Sequence, residues 1–164
     1  MKSEISNGVD LKKQLKEDLK TSLKEGDEVR TGTLRMLMAA MVNKEKEALR
    51  QAQGKDEELS DEEIQAVVAA EAKKRREAEE AFLKGGRPEL AEKEKQELKV
   101  LLTYLPEQLT QDQIRTLAKE AIQKTGAASI KDMGKVMGEL TPQIKGKADG
   151  ALVANIVKDL LTSK

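Results

Sequence analysis

Large apolar side chains in this chain recur three and four residues apart and never alternate with polar ones over a strand's length, so the regular element it builds is the amphipathic helix. Leu11, Leu15, Leu19 and Leu23 are the plainest case: every fourth position is leucine until Gly26 interrupts. Composition points the same way. Charged residues make up 37% and aromatic residues 1%, one Phe and one Tyr. Burial therefore relies on Leu, Ile, Val, Met and Ala, which favours helices over sheets. A length of 164 residues allows one ordinary domain or two small ones. The expectation is an all-α protein with N-terminal helical hairpins of about four helices and a small C-terminal helical domain of about three.

Punctuation residues set the boundaries. A first helix runs from Asp10 to Glu25, with Gly26 as a left-handed cap. Asp27 caps a second, whose stripe of Leu34, Leu37, Met38, Met41 and Val42 weakens toward Leu49 before Gly54 and the run KDEE break it. Ser60 and Glu63 have the spacing of a capping box and open a third helix near Asp61. Ile64, Val67 and Val68 give that helix an apolar beginning, but AEAKKRREAEEAFLK has few large apolar side chains and should project or pack thinly. GGRP reads as the hairpin into a fourth helix marked by Leu90, Leu98, Leu101, Leu102 and Leu105 and ended by Pro106. The domain boundary falls there, giving an N-terminal region 1–106 and a C-terminal domain 107–164. In the second part Thr110 and Gln113 open a helix that Gly126 closes. Ser129 and Asp132 open the next, which buries Met133, Val136, Met137 and Leu140 until Thr141-Pro142 interrupts it. Asp149 caps a last helix carrying Leu152, Val153, Ile156, Val157 and Leu160.

Missing residue types exclude much chemistry. Without cysteine there is no disulfide, thiolate nucleophile or zinc-thiolate site, a pattern at home in a reducing cytoplasm. Without histidine, Ser-His-Asp, Cys-His and His-metal arrangements are all excluded. Thirty basic and thirty acidic residues cancel, which removes long-range attraction for nucleic acid, although the part after Pro106 has a slight basic excess. The opening MKSEISNGVD carries acid and no apolar run, so the expectation is a soluble, untargeted cytoplasmic protein with no membrane association.

Three Gly-Lys pairs, at Gly54, Gly134 and Gly146, invite a phosphate-loop reading. The positions five residues earlier are Leu49, Ser129 and Thr141, and the residues after each lysine are Asp56, Val136 and Ala148, so the loop's glycine and hydroxyl are both missing. No cofactor and no metal are expected, and no nucleophile or catalytic base is evident. Two readings of the glycine-rich stretch remain. Gly134 and Gly138, four apart on a helix, suit close packing of another backbone or a short helix that tolerates glycine. Alternatively their bare face lies against a ribose-phosphate backbone, with Lys131 and Lys135 beside it and Lys145 and Lys147 flanking Gly146, all four in one patch. The amides after Asp149 form either a cap filled by its own carboxylate or an anion site. The run Lys73-Lys74-Arg75-Arg76, neutralised by Glu71, Glu77, Glu79 and Glu80, reads as a solvated helical face rather than an RNA site. The acidic run from Asp56 to Glu63 reads as capping and solubility rather than a cation site.

TLRMLMAAMVNKE, GGRPELAEKEKQELKVLLTYLPEQL, KDMGKVMGEL and GKADGALV together resemble the YqeY family, stand-alone relatives of the C-terminal tail of GatB, a component of the tRNA-dependent amidotransferase. The resemblance runs through nearly the whole chain, and the tail is similar to Glu107 through Leu161. It implies two all-helical parts and a tail-like role in holding tRNA, without the domains that activate substrate or release ammonia. By position in the shared motifs, Lys131, Lys135, Lys145 and Lys147 would contact phosphate, with Gly134, Gly138, Gly146 and Asp149 shaping that surface. The expected function is a non-catalytic tRNA-binding or amidotransferase-associated module. The alternatives are a protein-interaction adaptor without RNA, and the carbon-nitrogen ligase activity, with glutamine as amido donor, that the larger enzyme's name would lend.

Overall fold

The structure is a computed structural model and describes residues 10–51 and 58–163. The expected break at Gly54 and most of the KDEE run, like most of the opening MKSEISNGVD, lie outside them. Seven α-helices and one 3₁₀ turn make up the described residues, with no strand among them. The chain divides into two compact units that meet in sequence at Leu105 and Pro106.

The first unit contains α1 (Leu11–Glu25), α2 (Glu28–Gln51), α3 (Asp61–Lys84) and α4 (Pro88–Leu102). Its core joins Leu15, Leu34, Leu37, Ile64, Val68, Leu101 and Tyr104. The expected punctuation is present: Gly26 at φ 70°, the Asp27 carboxylate accepting from the Arg30 amide at 3.0 Å, and the reciprocal Ser60 and Glu63 capping box. Gly86 turns the α3–α4 hairpin at φ 70°, and Pro88 begins α4. α4 itself ends at Leu102, and Thr103 to Leu105 continue as turns before the proline.

Leu23 departs from the expected buried face and is 49% exposed, while Ser22 is buried. A period of four outruns the helical repeat by about 40° per step, so Leu23 lies about 120° from Leu11 while Ser22 lies about 20° from it. The buried hydroxyl is satisfied: Ser22 donates to the Leu19 carbonyl at 2.9 Å and accepts from Thr31 on α2 at 2.9 Å. Val42 leaves the α2 stripe for solvent, and Met38 is only half-buried. The α1 helix is tied down at its start, where the Leu11 amide donates to Asp61 at 3.0 Å and Lys12 pairs with Glu45 at 2.8 Å. That hydrogen bond to Glu45, outweighing burial, raises the Lys12 ammonium above its ordinary value.

One reading of the basic run is corrected. Lys73 and Lys74 are exposed, but Arg75 is 7% exposed. Its Nε donates to Glu97 at 2.8 Å and lies 3.6 Å from Glu94, Nη1 lies 3.6 Å from Glu71, and Nη2 reaches the Met36 sulfur at 3.6 Å. The thin part of the hairpin is thus bolted by an ion cluster in place of large apolar side chains.

The second unit contains α5 (Gln111–Thr125), a 3₁₀ turn (Ile130–Asp132), α6 (Met133–Ile144) and α7 (Gly150–Thr162) around Ile114, Ala118, Val136, Leu140, Val153 and Val157. The Thr110 and Gln113 capping box and the Gly126 cap at φ 68° stand as expected. Pro142 does not interrupt α6, which continues through it to Ile144. Proline this close to a helix end removes one hydrogen bond, the one its missing N–H would give to the Gly138 carbonyl, and leaves the rest of the ladder in place.

Candidate nucleic-acid interface

The α6 helix organises all eight residues singled out in sequence. Lys131 lies in the 3₁₀ turn and Lys135 in the first turn of α6, whereas Lys145 and Lys147 follow its far end. All four are exposed. With a helical rise of about 1.5 Å per residue, Lys135 and Lys145 are about 15 Å apart along the axis. The four lysines therefore form two pairs, one at each end of the helix, and not the single patch the sequence suggested.

The first pair shares its end with Asp132. That carboxylate accepts from the Ala128 amide at 2.9 Å and the Ser129 amide at 3.3 Å. These bonds, with Lys135 nearby, hold it below the usual carboxylate range. The ionised Asp132 is thus committed to the turn that carries Lys131.

Gly134 stands between Lys131 and Lys135, and Gly138 lies one turn further along α6; both are exposed, and a Cβ on either would meet nothing within 4 Å. Close helix packing, one form of the simpler reading of these glycines, is overturned, and its other form, a short helix that tolerates glycine, agrees with the open space. Their backbone angles are helical, so each costs α6 roughly 0.5–1 kcal/mol relative to alanine. We expect Gly134→Ala and Gly138→Ala each to raise stability by about that amount in urea unfolding. A ligand lying along the bare face would lose affinity for the same variants.

The second pair stands on a tight turn. The Lys147 and Ala148 amides both donate to the Ile144 carbonyl, at 2.8 and 3.1 Å, with Gly146 left-handed at φ 73° between α6 and α7. Asp149 then caps α7, accepting from the Ala151 amide at 3.1 Å. Its carboxylate occupies the position an external anion would take, which decides the cap reading.

Sequence reasoning missed Gln108, whose side chain reaches the Gly146 carbonyl at 2.8 Å. Nothing in the local pattern distinguishes it from a solvated glutamine. It missed the Arg75 cluster too, although a signal was present: Arg75 and Glu97 stand equally far before and after Gly86, level with each other in an antiparallel hairpin. Two open grooves, about 410 Å³ beside Ala40, Val67 and Ala70 and about 620 Å³ beside Ile122, Ala127 and Leu160, include none of the eight residues.

Residues 12–161, covering both helical units, match the family described as Yqey-like protein. The chain belongs to this family. Three similar proteins are each named Altered inheritance of mitochondria protein 41, mitochondrial. The one from Lachancea thermotolerans is 28% identical over 155 residues, 90% of this chain and 80% of the relative. The one from Eremothecium gossypii is 31% identical over 91 residues, 56% of this chain and 46% of the relative. The one from Vanderwaltozyma polyspora is 27% identical over 126 residues, 73% and 64% respectively. In the last two the match spans less than two thirds of the relative's length. Among the described residues of this YqeY-like chain, no helix is long and apolar enough to cross a membrane.

Proposed function

We propose that this YqeY-like chain is a non-catalytic module that holds tRNA, in the manner the family's resemblance to the GatB tail implies. The observation that carries the reading is the outer face of α6: glycines with nothing packed on them and exposed lysines at both ends. Cations positioned this way grip a sugar-phosphate backbone without reading bases. The compartment we propose is the cytoplasm, on composition; the three relatives carry mitochondria in their names.

The test is a titration of labelled tRNA at several salt concentrations. Four phosphate contacts predict a log-log slope of about −3 to −4, lost when Lys131, Lys135, Lys145 and Lys147 are all replaced by alanine. Equal binding by the two proteins would remove these lysines from the interface. A second reading, an adaptor for a protein such as a component of an amidotransferase, is favoured by exposed apolar side chains on the first unit, Met36, Val42 and Leu83. Salt-insensitive recovery of one protein partner after nuclease treatment would select it.

A further inference from the structure

Gln108 lies in the segment that leads from Pro106 into α5, and its side-chain amide is used twice as a donor. Nε2 donates to the Pro106 carbonyl and to the Gly146 carbonyl, each at 2.8 Å. The next residue adds a backbone bond, the Leu109 amide donating to the Lys147 carbonyl at 2.8 Å. The Pro106 ring covers the same turn, close enough that a Cβ on Gly146 would stand 3.6 Å from its Cδ. Two successive carbonyls of the α6–α7 turn are therefore fastened to one strap, while the Lys145 and Lys147 side chains stay exposed. An asparagine would fall short of the span, and a glutamate would turn acceptors toward carbonyl oxygens.

We infer that Gln108 is a positioning residue: it pre-organises the backbone of the Lys145–Lys147 turn for a polyanion, whose class is an RNA phosphate backbone. This rests on the tRNA-holding reading above. A turn already fixed avoids the entropy of ordering its residues upon binding, and the saving appears as affinity. Gln108 touches no phosphate in this scheme and acts only through the turn.

The test uses the full chain and unfractionated tRNA. In Gln108→Ala, amide exchange at Leu109, Lys147 and Ala148 should quicken roughly tenfold while the α5 and α7 interiors keep their protection, as expected for a local opening. The tRNA affinity should fall about five- to tenfold, and Gln108→Ala should cost nothing further in a Lys145→Ala, Lys147→Ala background, because it acts through those side chains. Unchanged exchange at the turn would refute the strap whatever the RNA does. Faster exchange with undiminished tRNA binding, or an additive loss in the lysine-free background, would leave the strap a structural feature and refute the positioning role. Wild-type protein that holds no tRNA would overturn the ligand along with the function proposed above, and the exchange data would still report separately on the strap.

Discussion

Arg75→Ala lowers the unfolding free energy of the first unit by about 3 kcal/mol, at the lower end of the cost of removing one partner from a buried ion pair. The side chain is 9% exposed and faces Glu71, Glu94 and Glu97, whose side chains are 10%, 20% and 13% exposed. Without the guanidinium, three carboxylates from α3 and α4 lose their shared partner, while Lys74 stays on Glu71 at 2.8 Å. Partial solvent access at Glu94 keeps the figure from the top of the range. The methylene stem, buried with the rest of the side chain, adds to the loss. Urea unfolding is the measurement, with Lys73→Ala, exposed on the same helix, within about 0.5 kcal/mol of wild type as control. Arg75→Met combined with Glu97→Leu should regain only part of the loss, because Glu71 and Glu94 keep their charges beside the new apolar pair. A loss below about 1 kcal/mol for Arg75→Ala would show that water already serves the cluster.

Tyrosinate absorbance in an alkaline titration should stay silent at the pH where a free tyrosine ionises and rise only as the first unit unfolds. The chain holds one tyrosine and no tryptophan, so the signal belongs to Tyr104 alone. Tyr104 is 1% exposed, and its hydroxyl donates to Asp18 at 2.7 Å. Burial first, then the bond to Asp18, push it well above its ordinary value of 10.0, with Arg30 opposing. The native state therefore keeps a proton that the unfolded chain releases. Stability from this group is intact below pH 10 and declines as pH rises beyond it. Lysines also titrate near about 10.4, so Tyr104→Phe provides the comparison. That variant should lose about 1 kcal/mol at neutral pH with its hydrogen bond and should show a shallower alkaline decline than wild type. Equal alkaline slopes for the two proteins would place the sensitivity elsewhere.

Most of the fold was legible because helix caps are local. A hydroxyl three residues before Glu63 or Gln113, and a glycine after Glu25 or Thr125, act on amides and carbonyls within one turn, so their effect does not wait on tertiary contacts. Departures arise where a neighbour or accumulated geometry matters. Leu23 leaves the buried face through the drift between a period of four and the helical repeat. Pro142 has the look of a stop, yet a helix can absorb a proline within its last turn. Arg75 looks solvated from its four-residue basic run alone, and only its register with Glu97 across the Gly86 turn points to the partners that α4 supplies. The sequence named candidate residues but not their arrangement: α6 holds the lysine pairs apart, and the residue that fastens one of the turns, Gln108, is distant in sequence.

The amino-acid sequence by itself determined the element type, nearly all the helix ends and the absence of histidine and cysteine chemistry, because periodicity, caps and side-chain inventory are properties of short stretches. Tertiary structure alone decided which charge is buried, which glycines stand bare and which turn Gln108 fastens. Those depend on residues far apart in the chain meeting in space, where burial raises the cost of an unpaired charge and the reach of a side chain selects its partner.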